Sequence, residues 1–291
     1  MNVTSTEPVA PESRPYSWRE RRSFTKIKGL VCVGLLAFLP LLAQAQDANQ
    51  KASAVLRPEA KTKQERDDFN RAYALTGGTA SEAAANDFAA QYPESQLRRY
   101  LYSSAMLQYQ RENNSDKMLA MGEKVLSFDP DNPLALVLTA TAMADSMGDR
   151  DREREHKVSA IKRNANRAIQ SAEKEYPPGN ETAELYKTTL QSMAYSALGI
   201  MKLKTGDDAG AEKDLLAAAD LRKIKPDPYV WYHLALAQDH RKKYTAALNS
   251  VDQALQLASS IPELQKLAEA EHDRLAGLAR NSRNGESSEP Q

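Results

Sequence analysis

The chain has 291 residues, with 39 Lys+Arg balanced by 39 Asp+Glu, 41% hydrophobic and 7% aromatic residues, 12 Gly and one Cys. Zero formal net charge excludes the basic surplus on one face that a dedicated nucleic-acid binder needs. Few Gly and aromatic residues, with Ala, Leu, Glu, Lys, Gln and Arg abundant, favour helix over strand, because these side chains lose little rotamer freedom on a helix. The chain is expected to be all-α.

Residues 1–45 have the three-part pattern of a secretory signal. Arg19, Arg21, Arg22, Lys26 and Lys28 precede an apolar run from Gly29 to Leu42, which ends in Ala43-Gln44-Ala45. The run is shorter than the roughly 20 residues of a membrane span, and Pro40 near its end favours cleavage after Ala45. The alternative is an uncleaved N-terminal anchor. Arg21-Arg22-Ser23-Phe24-Thr25-Lys26 resembles a twin-arginine export signal, although Glu20 and Thr25 depart from it, so the general secretory route is the expected one. Removal of residues 1–45 takes six basic and three acidic groups, leaving 33 against 36 and no cysteine, because Cys32 lies in the apolar run. Such a chain can enter an oxidising compartment without a disulfide to form or mispair. Its expected location is therefore the periplasm or the cell exterior, or the inner membrane with its bulk in the periplasm if the anchor stays.

Residues 46–61 are polar and Ala-rich, a flexible leader. Phe69, Ala72, Tyr73 and Leu75 then recur at helical spacing, Gly77-Gly78 interrupt, and Ala84, Phe88, Ala89 and Tyr92 restart the period until Pro93. Leu101, Ala105, Met106 and Tyr109 form the next stripe, followed by a polar turn at Asn113–Ser115 and by Met118, Met121, Val125 and Leu126. Asn132-Pro133 and Asp227-Pro228 each place a capping side chain before a proline at the first helical turn, where the missing N–H has no partner to lose.

These helices recur as pairs. The unit from Ser192 carries Tyr195, Leu198, Gly199, Ala211, Leu215 and Ala218, and the unit from Pro228 carries Trp231, Leu234, Ala235, Ala247, Val251 and Ala254. In both they occupy the fourth, seventh, eighth, twentieth, twenty-fourth and twenty-seventh places of a unit about 34 residues long. The pattern resembles the tetratricopeptide repeat (TPR). Its eighth and twentieth places are small because two antiparallel helices cross closely there. The resemblance implies antiparallel helix pairs stacked in a right-handed TPR-like solenoid over residues 62–280. The best copies are 192–225 and 228–261; divergent copies are expected at 62–98, 99–132 and 133–191, the last holding about 25 inserted residues around Pro177-Pro178. Residues 262–280 read as the amphipathic helix that caps such arrays, and 281–291 as a disordered tail. The stop at Tyr92-Pro93-Glu94-Ser95 is similar to units of bacterial envelope TPR proteins.

Catalytic signals are absent from the sequence. His156, His233, His240 and His272 lack metal-ligand spacing, no phosphate-cradling or nucleophile motif occurs, and the acidic turn at Asp129–Asn132 suits capping better than calcium. No catalytic residue, metal or cofactor is expected. What the TPR resemblance implies instead is a concave face lined by places two, five, six, nine, twelve and thirteen. On the best copy these include Tyr229, Tyr232, His233, Leu236, Asp239 and His240; on the preceding one Met193, Ile200 and Lys204; on the copy from Arg99, Tyr100, Ser103, Leu107, Gln110 and Arg111. Rigid aromatics beside polar groups suit peptide recognition. The expected function is a non-catalytic envelope scaffold that binds a protein or peptide partner, with membrane contact only through an uncleaved N-terminal segment. The alternative is a permanent structural subunit of an envelope complex.

Overall fold

The computed structural model describes residues 59–148, 151–174 and 182–286; the expected signal, most of the leader and the double proline lie outside them. Every regular element among the described residues is helical: α1 (Lys63–Tyr73), α2 (Gly78–Gln91), α3 (Arg98–Arg111), α4 (Ser115–Phe128), α5 (Pro133–Ser146), α6 (Arg154–Ser171), α7 (Ala183–Thr205), α8 (Asp208–Leu221), α9 (Pro228–His240), α10 (Tyr244–Leu257) and α11 (Pro262–Glu286), with a 3-10 turn at Ala172–Lys174.

The helix boundaries follow from local chemistry. Asn132 accepts from the Ala135 amide at 2.9 Å with Pro133 in the first turn, and Asp227 accepts from the Tyr229 amide at 2.9 Å with Pro228 in the first turn. Thr62, Asn114, Thr182 and Asp207 cap α1, α4, α7 and α8 in the same way, each satisfying a backbone donor that the helix itself cannot. Between α7 and α8 the chain reverses through Gly206 at φ 84°, a left-handed conformation that glycine adopts without a Cβ penalty.

Consecutive helices pack as antiparallel pairs, and the pairs stack: α1 with α2, α3 with α4, α5 with α6, α7 with α8, α9 with α10, and α11 against α10. This is a helix-pair solenoid. The core is continuous along it, one cluster running from Ala85 to Met201 and the next from Leu203 to Leu275, with Tyr195 packed against both. The repeat positions account for the packing. Leu198, Ala211, Leu215 and Ala218 in one unit, and Leu234, Ala235, Ala247, Val251 and Ala254 in the next, are all buried. Between α7 and α8 the contact is tight: a Cβ on Gly199 would lie 2.6 Å from Leu215 Cγ and 3.3 Å from the Ala211 carbonyl oxygen.

In the copy from Arg99, the eighth and twentieth places hold Met106 and Met118, both buried. The small residue has moved to Gly122, where a Cβ would come within 2.5 Å of Thr139 Cγ2 and 3.4 Å of Met106 Sδ. At the N-terminal junction Gly78 takes this part, with Tyr109 at 2.2 Å from its would-be Cβ. Two further features extend the repeat frame. Helix α7 begins at Ala183, ahead of the repeat start at Ser192, and α11 continues to Glu286. The polar stretch expected to be disordered from Asn281 is therefore helical as far as Glu286, since nothing in it blocks propagation before Pro290.

Replacing Gly199 by Val introduces branched bulk where backbone and Leu215 already touch. The expected loss is about 2–3 kcal/mol, read as a lowered urea midpoint with unchanged slope.

Candidate functional site

The first helices of the pairs, α3, α5, α7 and α9, present the inner-face places, and their accessibility changes along the array. On α3, Tyr100, Ser103 and Leu107 are half-buried and Arg111 is exposed. Tyr73, 40% exposed at the end of α1, extends this patch: burial and nearby Tyr100 both raise its pKa. Tyr73 stacks on Phe69 at 5.5 Å between centroids, and the Arg99 guanidinium sits 4.9 Å over the Tyr100 ring. An aromatic, partly cationic surface thus remains accessible at the N-terminal end of the inner face.

Further along, the expected residues sit differently. Met193, Ile200, Tyr229, Tyr232, Leu236 and Asp239 are buried, none more than 8% exposed. Helix α5 packs directly on α7 as well as on α6, and α11 brings Arg274 to within 2.7 Å of Asp239. His240 is held by Asp208 at 2.9 Å, with its side chain 8% exposed. Lys204 donates through Nζ to the carbonyls of Ala144 and Asp145 at 2.8 and 2.7 Å, which places an ammonium at the negative end of α5. The inner-face places of α7 and α9 therefore serve the packing of successive helices, and alanine at Tyr229 or Tyr232 would open the core.

Buried polar groups cluster on the same face. His233 Nδ1 lies 2.8 Å from the Tyr229 carbonyl; since a carbonyl only accepts, Nδ1 carries the proton. Burial pulls the His233 pKa down to about 4, Lys204 adding to the effect and the hydrogen bond opposing it. Asp227, buried at the α9 N-terminus, pairs with buried Arg222 at 3.3 Å; burial raises its carboxyl against the pull of Arg222 and two backbone amides. On α5, Asp145 has its Oδ2 sealed from solvent without a hydrogen-bond partner among the described residues, and so does the hydroxyl of Thr141 one turn earlier. Burial pushes the Asp145 carboxyl up to about 7, opposed by Lys204 and assisted by Asp227. On α3 the Gln110 amide nitrogen is likewise buried and unpartnered. Each such atom costs about 1–3 kcal/mol when desolvated.

Gln110 holds the twelfth place of its unit and was expected on this face; Thr141 and Asp145 were not. Counting places nine and thirteen from Pro133 reaches Thr141 and Asp145, so the repeat arithmetic holds the signal once the third copy is included. Their lack of partners is visible only in three dimensions. No group of three or more His, Cys, Asp or Glu among the described residues is arranged to hold a metal ion, and no described helix is long and apolar enough to cross a membrane.

Helix pairs repeating at this spacing, crossing at small residues, with first helices along one face, define the architecture. It is a TPR-like solenoid. No protein-family model and no curated protein matches the chain. Among solved structures, it is similar to a thermophilic TPR protein of Thermus thermophilus, at 15% identity and a TM-score of 0.44, covering 71% of this chain and 98% of that one. It is also similar to a MamA RS-1 double mutant, at 14% identity and a TM-score of 0.39, covering 63% of this chain and 96% of that one. A MamA protein stands at 16% identity and a TM-score of 0.35, covering 66% of this chain and 97% of that one.

Asp145 and His233 give opposite pH dependences. The Asp145 pKa is raised on folding to about 7, so its contribution is present below about 4 and is lost as pH rises through 7. The His233 pKa is depressed to about 4, so its contribution is present above about 6.5 and is lost as pH falls towards 4. Asp145→Asn removes the first term alone. It is expected to stabilise the fold by about 1–4 kcal/mol at pH 8 and to have little effect near pH 4, measured by urea unfolding at both.

Proposed function

We propose that the chain is a non-catalytic scaffold of the bacterial cell envelope that holds a protein or peptide segment along the inner face of its solenoid. The observation that carries this reading is the open stretch on α1 and α3, where Tyr73, Tyr100, Ser103 and Leu107 remain accessible while the equivalent places on α7 and α9 are closed. Rigid aromatic rings present contact area at little entropic cost, and the accessible stretch leads towards α5, where buried polar atoms have no partner. An extended segment laid across the first helices meets the rings first and the polar groups next.

Export to the envelope is supported by the basic residues before Gly29, the apolar run to Leu42 and the small residues that close it, together with the absence of cysteine after Cys32. The most exposed large hydrophobic residues, Tyr73, Leu75, Phe128, Leu216 and Ile224, are distributed over several helices and a loop. A permanently buried subunit would present a broader contiguous apolar patch.

Leu107→Asp and Tyr100→Ala alter partly exposed side chains and should leave the thermal midpoint within a few degrees of the parent. Crosslinking and affinity capture in the native envelope, quantified by mass spectrometry, should show the bound partner reduced at least tenfold in the double variant. Capture unchanged by both substitutions would place the partner on another face.

A further inference from the structure

We propose that Thr141 and Asp145 form a subsite on α5 that receives a guanidinium side chain from the bound segment. The inference rests on the reading of the inner face as a peptide-binding surface and specifies what that surface selects.

The two residues stand four apart on one helix, so their side chains occupy the same face a single turn from each other. Thr141 is 4% exposed, and its Oγ1 and Asp145 Oδ2 are both out of solvent without a hydrogen-bond partner among the described residues. Neighbouring Thr139, by contrast, satisfies its hydroxyl within the fold: it donates to the Ala135 and Leu136 carbonyls and accepts from Asn164 Nδ2 at 3.1 Å. The pairing that Thr139 finds inside the protein is missing at Thr141.

The chemistry of the missing partner follows from the atoms left over. A carboxylate oxygen accepts only, and a hydroxyl can accept as well, so the complementary group brings N–H donors. Surrounding charges decide between a neutral and a cationic donor. Lys204, on α7, directs its ammonium at the Ala144 and Asp145 carbonyls. Asp227, at the start of α9, acts on Asp145 in the opposite sense and is itself paired with Arg222 at the end of α8. His233 on α9 is neutral near pH 7. These flanking groups largely offset one another and leave the Asp145 charge for an incoming cation. Arginine fits both demands: its planar fork carries five donors, reaches two acceptors at once and is less strongly hydrated than an ammonium. Leucine or glutamate at that point of the segment would leave both oxygens unpaired.

The test uses the full chain and fluorescein-labelled, end-capped heptapeptide pools, random except for one central position fixed as arginine or as citrulline, its uncharged isostere. Fluorescence anisotropy is expected to show the arginine pool binding at least tenfold more tightly. That preference should vanish in Asp145→Asn and shrink in Thr141→Val, with thermal midpoints confirming that both variants fold. Equal binding of the two pools, with binding still lost in Leu107→Asp, overturns the guanidinium subsite and leaves the peptide-binding surface standing. Binding of neither pool overturns both.

Discussion

Close crossing of the two helices within each pair governs the rest of this molecule. A packed interior at organic-crystal density leaves no slack at a helix crossing, so each junction needs one position without bulk. Between α7 and α8 it is Gly199 against Ala211 and Leu215; between α9 and α10 the small pair is Ala235 and Ala247, both fully buried. Where the copy diverges, the small residue moves rather than disappears: Gly122 accommodates Met106 and Thr139, and Gly78 accommodates Tyr109. The backbone geometry is kept while the sequence place that provides it drifts.

Junctions between pairs also carry charge. Glu212 on α8 is buried and bonded by Arg241 and Lys243 from the chain following α9. Burial alone would raise its carboxyl, yet those two cations hold it below the usual range. Lys202 reaches Asp214 at 2.7 Å across α7 and α8, and Arg274 ties α11 to Asp239. Exposed ion pairs add little stability, but Glu212, Asp214 and Asp239 are each at most 7% exposed, and leaving any of them without its cation would strand a desolvated charge. These pairs fix the order in which the modules meet.

The inner face follows from the same packing. Helix α5 lies directly against α7, and α11 reaches back to α9 through Arg274, so the face is closed over α7 and α9 and accessible at α1 and α3. Binding chemistry is consequently divided: aromatic area is accessible at the N-terminal end, and polar groups that the fold leaves unpaired lie deeper, on α5. A buried carboxyl with an unused oxygen is costly unless something meets it, which makes α5 the part of the inner face where the identity of an occupant matters most.

Helix identity, caps, the pairing of helices and the small crossing residues of the two regular units were legible in the chain alone, because each is set by neighbours within about 34 residues of sequence. Asn132-Pro133 and Asp227-Pro228 are local instructions that tertiary context has no reason to override. Which inner-face residues stay accessible was decided by the tertiary structure. Tyr229 and Tyr100 hold the same place in their units, yet one is 5% exposed and the other half-buried, since burial depends on how neighbouring pairs stack and on where the cap lies. The unpaired state of Thr141 and Asp145 is likewise a property of the assembled solenoid: a hydroxyl or a carboxylate in sequence has no partner list, and only the packing of α5 against α7 removes the water that would otherwise satisfy them.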